Sequence, residues 1–439
     1  DTNVGNESVD IQQQEPVEIS ELETTENNDL SKSSESITVD ESIAEDILAT
    51  QADTAVVVGT VSDYLTAKGD AKLYNINLPA GVYLQAQLTT PANADLDYDL
   101  YLLDAEGNIL TGSDYYTYIN GTAGTLPEAL GYITSGDTAT YYLYVLASEG
   151  GSVSESFTLD YSVSTACDSY EIDESVRQAL AFTYGAGGAY IESRNLSSPI
   201  DNDWYVITVP SSRIYDKLKI SATTASTNTC SVEVYQNVAS EGYQMKRVGS
   251  GNTISVSSGK YYIRVSNAKT MENFDDLDIQ NYKLSITPIL KATGIVITDL
   301  KGSEGLNKVV NYPGYGAHFR TQGSGTLTVY GVLTATDSST GVTYAVGGEQ
   351  INGLYYSPAW EANNTSANAI RRGTGTTDSS GKFEIDISLP PGIGVYSYYG
   401  STSTHYFDIC GVSVSPSDDS SISASETIFH LAYTMYHPF

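Results

Sequence analysis

Residues 95–110 read Asp-Leu-Asp-Tyr-Asp-Leu-Tyr-Leu-Leu-Asp-Ala-Glu-Gly-Asn-Ile-Leu, and the reading of this stretch decides the fold. On an extended chain Leu96, Tyr98, Leu100 and Leu102 point one way, and Asp97, Asp99, Tyr101 and Leu103 the other. Asp104-Ala105-Glu106-Gly107-Asn108 forms a turn, and Ile109-Leu110 start a return strand. Working outward, the same texture recurs. Short β-rich runs alternate with Gly, Asp-Tyr and Pro-Ala-Gly breaks from residue 55, and Thr140–Leu146 and Phe157–Val163 are further strands. Strands spaced by roughly 8–15 residues and joined by turns predict an antiparallel β-sandwich.

A second region repeats the order. Asp201-Asn202-Asp203-Trp204-Tyr205-Val206-Ile207, Leu218-Lys219-Ile220, Ser231–Tyr235, Gly259–Val265 and Tyr282–Ile286 follow one another as strands. Their counterparts in the first region stand in the same sequence, which predicts an internal duplication. A third region differs. It runs through Thr326–Leu333, a turn at Asp337–Gly341, the alternating Thr376–Ile387 stretch, and strands at Tyr406–Ile409 and Ile428–Tyr433.

Composition agrees. The chain has 439 residues, room for about three domains. Tyrosine (35) and glycine (38) are abundant while charged residues are 17%, which suits strands better than helices. The fold class expected is all-β, with tandem antiparallel sandwich domains of jelly-roll or immunoglobulin-like kind behind a disordered leader. The boundaries read as 1–53 (acidic leader), 54–166, 167–292 and 293–439. The leader carries 15 acids, one base and no aromatic residue, so it cannot bury enough apolar surface to offset its ordering entropy.

The net charge of −33 repels phosphate backbones and anionic lipid, which argues against nucleic-acid binding and favours divalent cations or basic partners. No run of 18 apolar residues exists to span a membrane as a helix. The chain opens on Asp1 in a polar segment, which fits either a mature secreted chain or a cytoplasmic one, and the rest of the sequence favours the first. Of three cysteines, Cys167 and Cys230 could pair in an oxidising compartment; the other reading is three buried thiols acting as small hydrophobes.

Both repeated regions resemble the bacterial pre-peptidase C-terminal domain, a β-sandwich appended to many secreted hydrolases. The first carries Asp97-Tyr98-Asp99-Leu100-Tyr101-Leu102-Leu103-Asp104 before Glu106-Gly107-Asn108. The second carries an Asp-Ser-Tyr-Glu opening at 168–171, Asp-Asn-Asp-Trp-Tyr at 201–205 and Gly259-Lys260-Tyr261-Tyr262-Ile263-Arg264-Val265. The second departs from the pattern where Ser231-Val232-Glu233-Val234-Tyr235 replaces the acidic strand. Residues 376–383, Thr-Thr-Asp-Ser-Ser-Gly-Lys-Phe, look like transthyretin-like or carboxypeptidase-regulatory-like sandwiches of bacterial surface proteins. The resemblance implies a secreted or surface location, non-catalytic binding, and calcium in some relatives.

Candidate chemistry is sparse. Asp95, Asp97 and Asp99, on one strand face, are a candidate calcium site; solvated carboxylates on a sandwich edge are the alternative. An EF-hand is excluded because Leu100 stands where glycine is needed. Asp201 and Asp203 form a weaker acidic pair, and Asp275, Asp276 and Asp278 an acidic loop. No HExxH, GxSxG or P-loop motif appears. A Cys410–His405–Asp408 site is disfavoured, since a strand turns Asp408 and Cys410 one way and His405 the other. Three tyrosine-rich loops, at Tyr115–Tyr118, at Tyr355, Tyr356 and Trp360, and at Tyr396–Tyr399, suit sugar rings or protein surfaces. Tyr355, Tyr356 and Trp360 are the leading ligand-binding candidates. The function expected is non-catalytic binding or display at a bacterial surface, toward a polysaccharide or matrix protein, with self-assembly a further partner class. The alternatives are the accessory portion of a secreted hydrolase, or a hydrolase with its site in residues 293–439.

Overall fold

A computed structural model describes residues 34–36, 56–93, 95–114, 116–119, 122–123, 126–165, 167–224, 230–238, 244–250, 252–267, 280–302, 318–319, 325–363, 366–399 and 402–437. Nearly every described element is a strand, and the strands form six sheets, antiparallel but for short edge pairings. Among the described residues no helix is long and apolar enough to cross a membrane. The chain divides into two compact units, Asp1–Ser211 with Lys217–Ile289, and Ser212–Asp216 with Leu290–Phe439.

The first unit opens with a sandwich. One sheet runs, edge to edge, Ser34–Ser36, Ala71–Leu78, Ala139–Glu149, Asp97–Leu103, Ile109–Ser113. Its partner runs Val56–Asp63, Phe157–Ser164, Tyr83–Thr89, Glu128–Ile133. The alternation read at residues 96–102 holds: Leu96, Tyr98, Leu100 and Leu102 enter a core completed by Leu84, Ala86, Leu88, Leu130 and Leu159 of the facing sheet. Asp104 closes the hairpin, its Oδ1 accepting the N–H of Glu106 (3.0 Å) and Asn108 (2.8 Å). The acidic leader, Ser34–Ser36 apart, lies outside the described residues, as does the Asp275–Asp278 loop.

A second sandwich follows with the same topology. Asn202–Val209, Gly259–Ser266, Ser231–Asn237 and Gln244–Ser250 neighbour one another in the order of Ala71–Leu78, Ala139–Glu149, Asp97–Leu103 and Ile109–Ser113. Ala189–Leu196, Gln280–Leu290, Tyr215–Thr224 and Thr253–Ser255 match Val56–Asp63, Phe157–Ser164, Tyr83–Thr89 and Glu128–Ile133. Chain order and sheet order agree strand for strand. One expectation is corrected here. Tyr116–Ile119 is no loop but a strand, and it pairs in parallel with Gln244–Ser250 of the second sandwich.

The second unit is a further sandwich. Gly325–Thr336 pairs with Gly294–Gly302, Thr343–Ala345 and Lys382–Leu389. The facing sheet runs His318–Phe319, Ala424–Tyr436, Ser403–Pro416, Gln350–Tyr356, Ile370–Thr376, with Tyr396–Tyr399 also on Ser403–Pro416. Leu327, Val329, Leu333 and Ala335 meet Ile351, Val412, Val414 and Ile428 in its core. Gly331 shares their face, and a Cβ there would lie 2.1 Å from Phe383 Cζ and 2.4 Å from the Val296 carbonyl oxygen. Gly331→Ala is therefore expected to destabilise this unit by about 1–3 kcal/mol through overpacking. Chemical denaturation of the chain, with an unchanged transition as the contrary result, checks this.

Candidate functional site

Many of the charged residues that the folding of the first unit removes from water gather around Arg194. Arg194 lies on Ala189–Leu196, whose pairing register to Gln280–Leu290 shifts between Ile191 and Arg194. Ser193 takes φ 62° at that bulge. A bulge re-aims the following side chain, and Arg194 turns fully inward. Its guanidinium reaches Asp168 (2.7 Å), Asp203 (3.1 Å) and Asp173, and its Nε donates to Tyr205 Oη at 2.7 Å. Tyr205 Oη lies 2.5 Å from Tyr282 Oη, which donates in turn to Asp203.

The acids come from two short stretches. Asp201 and Asp203 sit at the start of Asn202–Val209, a strand covered on both faces, so Asn202, Asp203, Trp204 and Tyr205 are all buried. Residues 171–174 run alongside that strand: Trp204 N donates to Asp173 O (3.0 Å) and Asn202 N to Glu174 Oε2 (3.0 Å). Among the described residues, Glu171, Glu174 and Asp201 each bring an oxygen within 4.8 Å of the others, and so do Glu171, Asp173 and Asp203. These are buried acidic clusters of a kind that can hold a metal ion.

The electrostatics are unbalanced. Five carboxylates (Glu171, Asp173, Glu174, Asp201 and Asp203) are buried against one guanidinium. Burial first, and then mutual repulsion, push Glu171 and Glu174 well above the ordinary carboxylate range. Burial does the same to Asp173 and Asp203, against the pull of Arg194, and raises Asp201. Hydrogen bonding does not answer the charge. Glu171 Oε1, Asp173 Oδ1, Asp201 Oδ1 and Asp203 Oδ1 are buried without a hydrogen-bond partner, as are Gln85 Oε1 and Ser197 Oγ nearby. Orphaned oxygens of this kind are costly in an interior. All are oxygen, and the ionised carboxylates among them are acceptors only, which is the donor set of a hard cation.

The residues singled out from sequence fall elsewhere. The strand begins at Asp97, so alternation brings two carboxylates, not three, to its outer face; Asp95 precedes it in a turn, its N–H bonded to Asn93 Oδ1. Asp99 is buried, and burial with the neighbouring Asp97 charge lifts it to about 7, while burial lifts Asp97 to about 6. Asp95, Asp97 and Asp99 do not form a close oxygen cluster among the described residues. Of the acidic array, sequence reading found Asp201 and Asp203 as a weak pair and missed Asp173, Glu174 and Arg194. The available signal was the Asp-Ser-Tyr-Glu-Ile-Asp-Glu run at 168–174.

Tyr355 corrects a second expectation. It is no loop residue: Gln350–Tyr356 is a strand, alternation turns Tyr355 into the core at 0% exposure, and only Tyr356 and Trp360 face outward. Trp360 sits on a helical turn, Pro358–Ala362, and donates to Pro391 O at 2.9 Å. Inside, Tyr355 Oη lies 3.1 Å from Cys410 Sγ and 2.9 Å from His430 Nδ1. Burial raises the Cys410 thiol to about 11 and lowers His430 to about 4. His405 is not part of this group; it bonds Thr434 Oγ1 at 3.0 Å. Asp408 accepts the N–H groups of Ile393 (2.6 Å), Gly394 (2.8 Å) and Val395 (3.0 Å). All three cysteines are free thiols.

No protein-family profile matches the chain. An uncharacterized protein of Bacillus subtilis (strain 168), YlqB, is 36% identical over 74 residues, which is 17% of this chain and 46% of YlqB. The chain thus spans about half the length of that curated relative. Among solved structures, a periplasmic inhibitor of g-type lysozyme from Aeromonas hydrophila matches 30% of this chain and 96% of its own, at 10% identity and TM-score 0.18. The CUB1-EGF-CUB2 region of human MASP-1/3 matches 53% and 99% at 10% identity, TM-score 0.16. The tandem CBM22 domains of Paenibacillus barcinonensis Xyn10C match 54% and 92% at 13% identity, TM-score 0.14. Likenesses this low carry no argument about function.

His430 generates a pH prediction. Its folded pKa is depressed below the ordinary histidine value, so the unfolded chain binds the proton first as pH falls. The second unit should keep full stability above about pH 6.5 and lose on the order of 3 kcal/mol as pH falls toward about 4. Melts of the chain and of His430→Gln across that window check it; equal slopes for both would refute it.

Proposed function

We propose that the chain is a non-catalytic, secreted or cell-surface binding protein, built on tandem sandwiches of the pre-peptidase C-terminal kind whose second copy holds calcium. The observation that carries the reading is the array around Arg194. Its all-oxygen donor set and unpartnered acceptors fit a cation with six to eight oxygen ligands better than magnesium, which keeps several waters, or zinc, which favours nitrogen and sulfur. Glu171, Glu174 and Asp201 would hold one ion, and Asp173 and Asp203 with Glu171 are placed to hold another. Calcium at extracellular concentration supports the secreted location. Against catalysis stand the enclosed candidates of the second unit: Cys410 and His430 are 2% and 1% exposed.

For the ligand, the tyrosines at Tyr396–Tyr399 replace those of the Gln350–Tyr356 strand as the best-placed group. Tyr396 is 50% and Tyr399 71% exposed, and Tyr433 and Tyr436 of the neighbouring Ala424–Tyr436 strand are exposed too. Flat rings with polar tips suit a polysaccharide. Tyr396 stacks on Phe407 with ring centroids 5.9 Å apart, which holds it ready at little entropic cost.

Two measurements test this reading. Titration calorimetry of the full chain with calcium should give a binding heat that Asp201→Asn with Asp203→Asn reduces at least tenfold; no heat from the native chain sinks the calcium claim. A polysaccharide array should give a hit that Tyr396→Ala with Tyr399→Ala removes. A hit that survives the double variant moves the binding surface elsewhere, and no hit counts against carbohydrate.

A further inference from the structure

Both glutamates of the array are shared with the first sandwich. Tyr83 and Gln85 lie on Tyr83–Thr89, where Leu84, Ala86 and Leu88 take the core side. Their own side of the strand is the outer face of the sheet, yet they are 1% exposed. What covers them is the 171–174 segment. Tyr83 Oη lies 2.7 Å from Glu171 Oε2 and 2.6 Å from Glu174 Oε1, with one proton to share between them, and Gln85 Nε2 donates to Glu174 Oε1 (2.6 Å). The neighbouring strand carries Gly131 at the contact. A Cβ there would lie 2.6 Å from Tyr83 Oη, 2.7 Å from Glu174 Cγ and 2.9 Å from Ile172 Cγ2. The seam is otherwise largely polar. Asn202 Nδ2 donates to Gln87 Oε1 at 3.3 Å, and Arg177 pairs with a partly exposed Asp114. Leu126 is the first sandwich's apolar contribution, packed with Val176, Trp204, Tyr235 and Met245.

We propose that the cation bound by Glu171, Glu174 and Asp201 is the fastener between the two sandwiches, so that calcium occupancy sets whether they behave as one body. The proposal rests on the calcium reading above. With the ion in place the glutamate oxygens turned away from it accept from Tyr83 and Gln85, and the second sandwich's metal site is completed by donors of the first. Without it, five carboxylates face one guanidinium. The unanswered carboxylate oxygens then need water, which reaches them by displacing the 171–174 segment from Tyr83, Gln85 and Gly131. The parallel pairing of Tyr116–Ile119 with Gln244–Ser250 also ties the two sandwiches, so the ion's part is to hold the 171–174 segment against Tyr83, Gln85 and Gly131.

The test uses the full chain carrying Trp360→Phe, so that the one tryptophan left is Trp204, in the second sandwich where it packs with Leu126, while calorimetry follows both sandwiches. In calcium, the two sandwiches should unfold in one transition that coincides with the Trp204 change. In chelator that transition should split, leaving a first-sandwich transition separate from the Trp204 change, while the second unit's transition stays in place. Tyr83→Phe with Gln85→Leu should bind calcium about tenfold more weakly, the size expected for loss of outer hydrogen-bond donors. It should also show the split even when saturated with calcium. Calcium binding by titration calorimetry that moves only the Trp204 transition keeps the calcium reading and overturns the fastener. A double variant that remains a single transition at saturating calcium also overturns it. Absence of calcium binding removes the reading, and the fastener falls with it.

Discussion

The constraint on which the first unit depends is the burial of negative charge. Taking a carboxylate out of water costs several kcal/mol even after the protein relaxes, and repulsion adds to the cost when five are confined together. The local structure reads as a set of answers to that cost. The bulge at Ser193 delivers a guanidinium to the interior. Tyr205, Tyr282, Tyr83 and Gln85 bring donors to carboxylate oxygens or to Arg194's neighbours. The N–H groups of Ser197 and Asn202 supply more. These answers stop short, leaving carboxylate oxygens aimed into the interior with nothing donating to them. A cation is the remaining way to satisfy several acceptors at once.

Much of the architecture was legible in the sequence because strand periodicity is a local property. Leu96, Tyr98, Leu100 and Leu102 announce their own face, and Asp104 to Asn108 their own turn, with no knowledge of the rest of the chain. The duplication is legible for the same reason, since each copy repeats those local signals in order. Its realisation is strict, with four strands of each sheet of the first sandwich recurring strand for strand in the second. The all-β class follows from both.

The candidate site was far less legible, because it is made where strands end and domains meet. In Tyr83–Thr89, alternation assigns Gln85 and Gln87 to solvent, and by the logic of one sandwich that is correct. Gln85 is removed from water, and Gln87 partly so, by residues that belong to the next sandwich, a relation no periodicity records. Arg194 is hidden in a different way. Its strand changes register just before it, and a one-residue slip sends a side chain to the opposite face. Tyr355 shows the converse error. Two adjacent tyrosines near a proline and a tryptophan look like a loop, but the strand runs through Tyr356 and sends the first of the pair inward.

The two units solve the same problem of polar groups in an interior by opposite means. In the second unit the buried hydroxyl, thiol and imidazole of Tyr355, Cys410 and His430 bond one another at ordinary distances, with His430 Nε2 left without a partner. The buried carboxylate beside them, Asp408, is held by three backbone N–H groups of a single loop. That interior is built of neutral groups and its weakness is acid, which charges the histidine. The first unit's interior is charged and incomplete, and acid relieves it by neutralising carboxylates. A solute that supplies positive charge from outside therefore has purchase on one unit and none on the other. The chain's strongly negative overall charge draws divalent cations toward it in general. The buried array is where carboxylate oxygens already lie close enough together to hold such an ion.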